Sequence, residues 1–135
     1  MPSPVVHFEI AGHQRKQLIA IYRRLLGRKV DTNNPIGYGL VKKSGRGIDG
    51  GIMKNAKPYV TICAVVPGPQ MTLAAAKRLG GKVMVPVTDI PGMVRCAMFK
   101  DPAGNMVGVV AAKTPPAPKA KPKAKAKRRR QRGRA

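Results

Sequence analysis

The 135-residue sequence has no Trp, three Tyr and two Phe, so aromatic residues make up 4 % of it. Single-strand binding that relies on base stacking needs aromatic faces, and this chain has few to offer. Acids are as scarce: Glu9, Asp31, Asp49, Asp89 and Asp101 are all there are. Hard cations need several oxygen ligands close together, which five scattered carboxylates do not supply by themselves. Two cysteines, Cys63 and Cys96, make no disulfide framework and fit a reducing compartment. No uncharged apolar run approaches the roughly 20 residues that span a bilayer as a helix. Met1-Pro2-Ser3-Pro4 is not a basic region leading into an apolar stretch, so no secretory signal is expected. A cytoplasmic location is the expectation.

Positive charge is abundant instead. The chain carries 27 Lys and Arg, for a formal net charge of +22. Residues 113–135 hold 11 of these cations and no acid, and residues 1–112 contribute the other +11. The tail is built from Lys, Ala, Pro and Arg without Val, Ile, Leu or an aromatic residue. It has no apolar surface to offset the entropy of ordering, so it is expected to stay disordered when alone in water. Such a run binds polyanions by releasing counterions from phosphates. It lacks the apolar anchors of a membrane-surface segment. A solvated, solubilising tail is the plainer alternative, and a nuclear localisation signal is a third.

An internal repeat organises the rest. Leu26, Gly27, Lys29 and Val30 recur 53 residues later as Leu79, Gly80, Lys82 and Val83. In each copy an apolar-periodic stretch ends at a glycine, then a basic residue leads into a β-branched strand start. The first copy predicts a strand over 5–10 and an amphipathic helix over 14–26. Leu18, Ile19, Ile21, Tyr22, Leu25 and Leu26 fall on one side of that helix, and Lys16, Arg23 and Arg24 project from the other. Short strands near 28–31, 37–42 and 48–53 follow, with turn signals at Asn33-Asn34-Pro35 and Ser44-Gly45. The second copy predicts a strand over 59–66, an Ala-rich helix over 70–79 with Leu73 and Ala76 inward, and strands near 82–87, 93–99 and 106–111. Each copy is therefore βαβββ. One such unit cannot cover its own sheet, so the two are expected to pair around a shared core.

These residues carry a resemblance. Val5-Val6-His7-Phe8-Glu9-Ile10, Ile21-Tyr22-Arg23-Arg24-Leu25-Leu26-Gly27, Leu79-Gly80-Gly81-Lys82-Val83 and Phe99-Lys100-Asp101-Pro102-Ala103-Gly104-Asn105 resemble the vicinal oxygen chelate superfamily of glyoxalases, bleomycin-resistance proteins and extradiol dioxygenases. The likeness covers about residues 4–112 and implies an α+β fold. In it, modules of about 4–55 and 56–112 form a cup-shaped mixed sheet with helices outside. It also implies a divalent metal held by His, Glu or Gln from the first and last strands of each module. His7 stands at the first ligand position. The second falls on Thr61, or on Val60 with a one-residue shift. The last is Gly108, and the remaining one is Gly50 or Gly51, with Asp49 reachable only by a register slip. One expected ligand of four is present, whereas a catalytic metal needs about three protein ligands. The expectation is a metal-free domain with no cofactor, in which His7 is a hydrogen-bonded histidine left in the cup.

Other chemistry is thin. Cys63 reads as core packing, and Cys96 adjoins Arg95, which would lower its pKa. His13 is a helix-start residue. Gly45-Arg46-Gly47 and Gly50-Gly51 match no phosphate-binding fingerprint, and neither serine sits in a nucleophile elbow. The first helix carries no acid, while Arg15, Lys16, Arg23, Arg24, Arg28 and Lys29 line it and its exit. A body this basic repels itself unless a polyanion is near. The expected partner is nucleic acid, either DNA or structured RNA such as ribosomal RNA, bound mainly through phosphates. Expected contacts are Lys119, Lys121, Lys123, Lys125, Lys127, Arg128, Arg129, Arg130, Arg132 and Arg134 in the tail, supported by Arg23, Arg24, Lys42 and Lys43. A metal-dependent lyase or dioxygenase, or a metal-free binder of small molecules, is the alternative the resemblance offers. A homodimer is compatible with it, as is a monomer.

Overall fold

A computed structural model describes residues 2–116 of the chain. Its elements are β1 (Val5–Gly12), α1 (Arg15–Leu26), β2 (Val30–Asp31), β3 (Gly39–Val41) and β4 (Asp49–Lys54). Then come β5 (Tyr59–Val66), α2 (Pro69–Arg78), β6 (Lys82–Ile90), β7 (Val94–Lys100) and β8 (Met106–Ala111). The eight strands form one open mixed sheet in the order β2-β3-β4-β1-β5-β8-β7-β6. Outward from the centre, β1-β4-β3-β2 on one side matches β5-β8-β7-β6 on the other. Strand β1 runs parallel to β4 and β5 parallel to β8, while β1 and β5 pair antiparallel. The two βαβββ units are thus related by a half-turn about an axis through the β1–β5 pair.

Local signals explain the helix ends. Helix α1 stops at Gly27, whose φ of 62° is the left-handed conformation that only glycine takes cheaply. Helix α2 begins at Pro69, whose missing N–H costs nothing in a first turn. The chain turns away after α2 at Gly80, also left-handed at φ 94°. Strand β2 begins at Val30 rather than near residue 28, because Arg28 and Lys29 are used to leave the helix cap.

Each helix covers its own half of the sheet. Ile19 of α1 packs with Val41 and Ile52, flanked by Phe8, Ile10, Leu18 and Tyr22. Leu73 of α2 packs with Val66, Ala97 and Val109, flanked by Val83, Val87 and Phe99. Ile52 is 1 % exposed, and truncating such a side chain to Ala costs about 2–5 kcal/mol. The inward face of α1 is narrower than its apolar pattern predicts. Ile21, Leu25 and Leu26 are exposed, since α1 lies over β1 and β4 and α2 reaches β5 at its Val66 end. Val60 and Ile62, on the helix side of β5, are likewise exposed.

Candidate functional site: a tyrosine-capped carboxylate and a basic edge

Alternation along β1 places Phe8 and Ile10 against α1, and therefore puts His7 and Glu9 on the helix-free face. Their neighbours there follow from register. Asp49 and Gly51 on β4 stand opposite His7 and Glu9, and Cys63 and Thr61 on β5 do the same on the other side. Gly108 of β8 pairs with Cys63.

The centre of this face is a hydrogen-bonded chain. The Tyr38 hydroxyl donates to Glu9 Oε1 at 2.7 Å, and the Tyr59 hydroxyl donates to Glu9 Oε2 at 2.5 Å. His7 Nε2 lies 2.9 Å from the Tyr38 hydroxyl. Tyr38 has one proton and gives it to Glu9, so Nε2 of His7 is the protonated nitrogen and donates to Tyr38. Burial lowers the His7 pKa below its ordinary value, against opposing pulls from Glu9 and Asp49. Burial, then the Glu9 charge beside it, raises Tyr38. Burial and the hydrogen bond to Glu9 raise Tyr59. Both tyrosines are therefore held as proton donors.

Asn34 positions Tyr38. Its side-chain oxygen accepts the Tyr38 N–H at 2.9 Å, and its amide donates to the Tyr38 carbonyl at 2.7 Å. The Asn33-Asn34-Pro35 turn signal thus marks a clamp as well as a turn. Neither Tyr38 nor Tyr59 stands out in the sequence as a site residue. The one available cue was that Tyr38 sits between two glycines, Gly37 and Gly39, after that turn.

The residues do not fit a metal ion. Gly51 is the β4 position that faces Glu9, and a Cβ there would overlap the Tyr38 hydroxyl and ring. Gly108 is closed in the same way, since a Cβ would come within 2.7 Å of Cys63 Sγ. Thr61 is buried and spends its hydroxyl on the Met106 carbonyl at 2.5 Å. Val60 points to the other face. Asp49 lies beside His7 without any register slip, yet its carboxylate accepts the Lys43 N–H at 2.7 Å. Among the described residues no three His, Cys, Asp or Glu side chains come together. A cation at His7 and Glu9 would compete with the tyrosine hydroxyls for the carboxylate oxygens.

Both cysteines are held as thiols. Burial pushes the Cys63 thiol up to about 12. Cys96 is also raised, chiefly by burial, which corrects the expectation that Arg95 lowers it. Arg95 turns away to make a two-pronged contact with Asp89, at 2.5 and 2.8 Å. His13 is exposed, just before the Gln14 helix cap.

Solved structures share this architecture at low sequence identity. A hypothetical protein from Bacillus halodurans superposes with a TM-score of 0.59 at 13 % identity, covering 90 % of this chain and 100 % of that one. Methylmalonyl-CoA epimerase from Mycobacterium tuberculosis gives 0.57 at 17 %, covering 90 % and 91 %. A methylmalonyl-CoA epimerase in complex with methylmalonyl-CoA gives 0.56 at 14 %, covering 87 % and 100 %. The chain has the vicinal oxygen chelate fold. No family model and no curated protein matches the sequence. Within this vicinal oxygen chelate fold the helix-free face is filled by Tyr38, Tyr59 and Cys63 where the resemblance led one to expect ligands.

The charged surface lies elsewhere. All five carboxylates are committed within the domain. Glu9 holds the tyrosines, Asp49 holds Lys43 N, and Asp89 holds Arg95. Asp31 accepts the Asn33 N–H, and Asp101 accepts from Ala103 and Asn105 in its turn. Asp89–Arg95 is the one ion pair among the described residues, which carry 17 Lys and Arg. Several free cations gather where α1 ends. Arg23, Gly27, Arg28, Lys29 and Val30 line an open depression of about 400 Å³. Arg23 donates to the Val30 carbonyl at 3.3 Å and Arg28 to the Lys42 carbonyl at 2.7 Å. The latter ties the exposed pair Lys42-Lys43 to the same edge. Arg24 is exposed alongside. The ten predicted tail contacts, Lys119 through Arg134, lie outside the described residues.

Proposed function

We propose that this protein is a metal-free vicinal oxygen chelate domain that binds nucleic acid through phosphate contacts. The observation that carries the reading is the imbalance of charge. Every carboxylate is engaged inside the fold, and 16 of 17 described cations have no acid partner. Each uncompensated cation repels its neighbours, and a polyanion relieves that repulsion while releasing its own counterions. Arg23, Arg24, Lys42 and Lys43 form the folded contact, and the cations from Lys119 to Arg134 add the larger share. Few aromatic side chains are available for stacking, so the binding is sequence-independent or shape-dependent. An enzymatic reading through a bound metal has little to support it, because Glu9 is capped by Tyr38 and Tyr59 and the positions facing it are closed.

The test is binding of the full chain to duplex DNA and to structured RNA across a salt series. The expected result is affinity that falls linearly on a log–log plot, with a shallower slope in the R23Q/R24Q/K42Q/K43Q variant. A preference between the two ligands tells which nucleic acid is the partner. A full chain that binds neither at near-physiological salt overturns the reading.

A further inference from the structure

The sequence repeat copies charge as well as shape. At the 53-residue offset Arg24 becomes Lys77 and Lys29 becomes Lys82. The last turn of α1 carries Arg23 and Arg24, and the last turn of α2 carries Lys77 and Arg78. Lys29 and Lys82 then lead into β2 and β6. These six side chains are all exposed. The half-turn that relates the two units sends one cluster to the diagonally opposite corner of the sheet from the other. Strands β2 and β6 are its two edges. Seven strand spacings separate them, a path of roughly 34 Å along the sheet. A Debye length at physiological salt is about 8 Å, so the two clusters meet solution ions as separate sites.

Helix stability explains part of this charge. Cations in a last turn oppose the negative end of the helix dipole, which accounts for Arg23, Arg24, Lys77 and Arg78. It does not account for Lys29 or Lys82, which lie beyond the helix ends. Lys82 moreover stands directly opposite Lys100 in the β6–β7 register, and like charges facing across strands are destabilising. Neither lysine forms an ion pair with a flanking acid: Asp101 accepts from Ala103 and Asn105, and Asp31 from Asn33.

The geometry points to a second polyanion contact at Lys77, Arg78 and Lys82, so that one folded chain joins two nucleic-acid segments. This rests on the phosphate-binding reading above and adds a valency that reading does not require.

The experiment captures a fluorescent DNA duplex on beads that carry a second, unlabelled duplex. It uses the full chain with the ten Lys and Arg of 119–134 changed to Gln, so that the tail supplies no second contact. This protein is expected to bind free duplex and to capture the labelled one. Adding R23Q/R24Q/K29Q, or separately K77Q/R78Q/K82Q, is expected to lower capture at least tenfold while binding to a single duplex weakens only a few-fold. The conservative R24K/K77R/K82R variant is expected to capture normally. An equimolar mixture of the two Gln variants is expected not to restore capture, because both contacts belong to one molecule. The inference is overturned if the tail-neutral chain fails to bind or binds without capture. It is also overturned if either cluster variant captures undiminished, or if the mixture restores capture. Failure of the unaltered chain to bind any duplex or RNA sinks the phosphate-binding reading itself, a different result.

Discussion

The Tyr38 hydroxyl occupies the space into which a side chain at Gly51 would project. Position 51 on β4 has no side chain, and Tyr38, held by Asn34 in the preceding loop, fills that space and caps Glu9. The two positions are therefore energetically coupled, although 13 residues of chain and a basic loop separate them.

That coupling is measurable. Gly51→Ala alone is expected to destabilise the protein by about 1–3 kcal/mol, the usual cost of overpacking a filled site. In a Tyr38→Ala background the same change should cost less than about 0.5 kcal/mol, since the overlap is gone. Denaturant midpoints of the four proteins in the cycle give the coupling. Additive losses would show that Tyr38 moves freely off Gly51.

Metal addition should do nothing to stability. A native-state site held at about 100 times its dissociation constant adds about 2.7 kcal/mol. Thermal melts in Zn²⁺ or Mn²⁺ are expected to coincide with melts in chelator. A rise in Tm that disappears in His7→Ala would show that the tyrosines yield to a cation.

His7 makes stability depend on pH. Its pKa is below the ordinary 6.5 in the folded chain because burial disfavours the cation. The unfolded chain therefore binds more protons as pH drops below about 6.5, and stability is lost in that direction. The loss cannot exceed about 1.4 kcal/mol per pH unit for one proton. Urea midpoints between pH 7.5 and 5.5 should fall less steeply in His7→Gln than in the parent. Parallel curves would mean that His7 titrates as it does in water.

The tail should dominate the salt dependence. Truncation after residue 116 keeps the hydrogen bond between Gly92 N–H and the Pro115 carbonyl at 3.0 Å and removes ten cations. Removing one cation–phosphate pairing flattens the log–log slope by about 0.9, so a drop of several units is expected in a salt titration with duplex DNA. An unchanged slope would assign the binding to the folded body alone.

The architecture was legible because its signals are local. Glycines at 27 and 80, period-2 and period-3.6 apolar patterns and the 53-residue echo each act over a few neighbours, and together they specify two βαβββ units. The strand expected over 59–66 coincides with β5 to the residue. The charge imbalance was equally plain, since it is a matter of counting. Gly51 and Gly108 offer no side-chain ligand in any fold, which is also a matter of sequence alone.

Long-range placement was the part that only folding settled. Glu9 on β1 meets Tyr38 and Tyr59 from segments 29 and 50 residues away, and no period relates such positions. Cys96 is governed by burial rather than by its neighbour Arg95, because side chains alternate faces along a strand and Arg95 reaches Asp89 instead. The exposure of Leu25, Leu26, Val60 and Ile62 depends on where two helices rest over an eight-stranded sheet. Composition and local pattern act through bonds and near neighbours. Which hydroxyl caps which carboxylate, and which cations stay free, is decided by contacts that exist only once distant segments are packed.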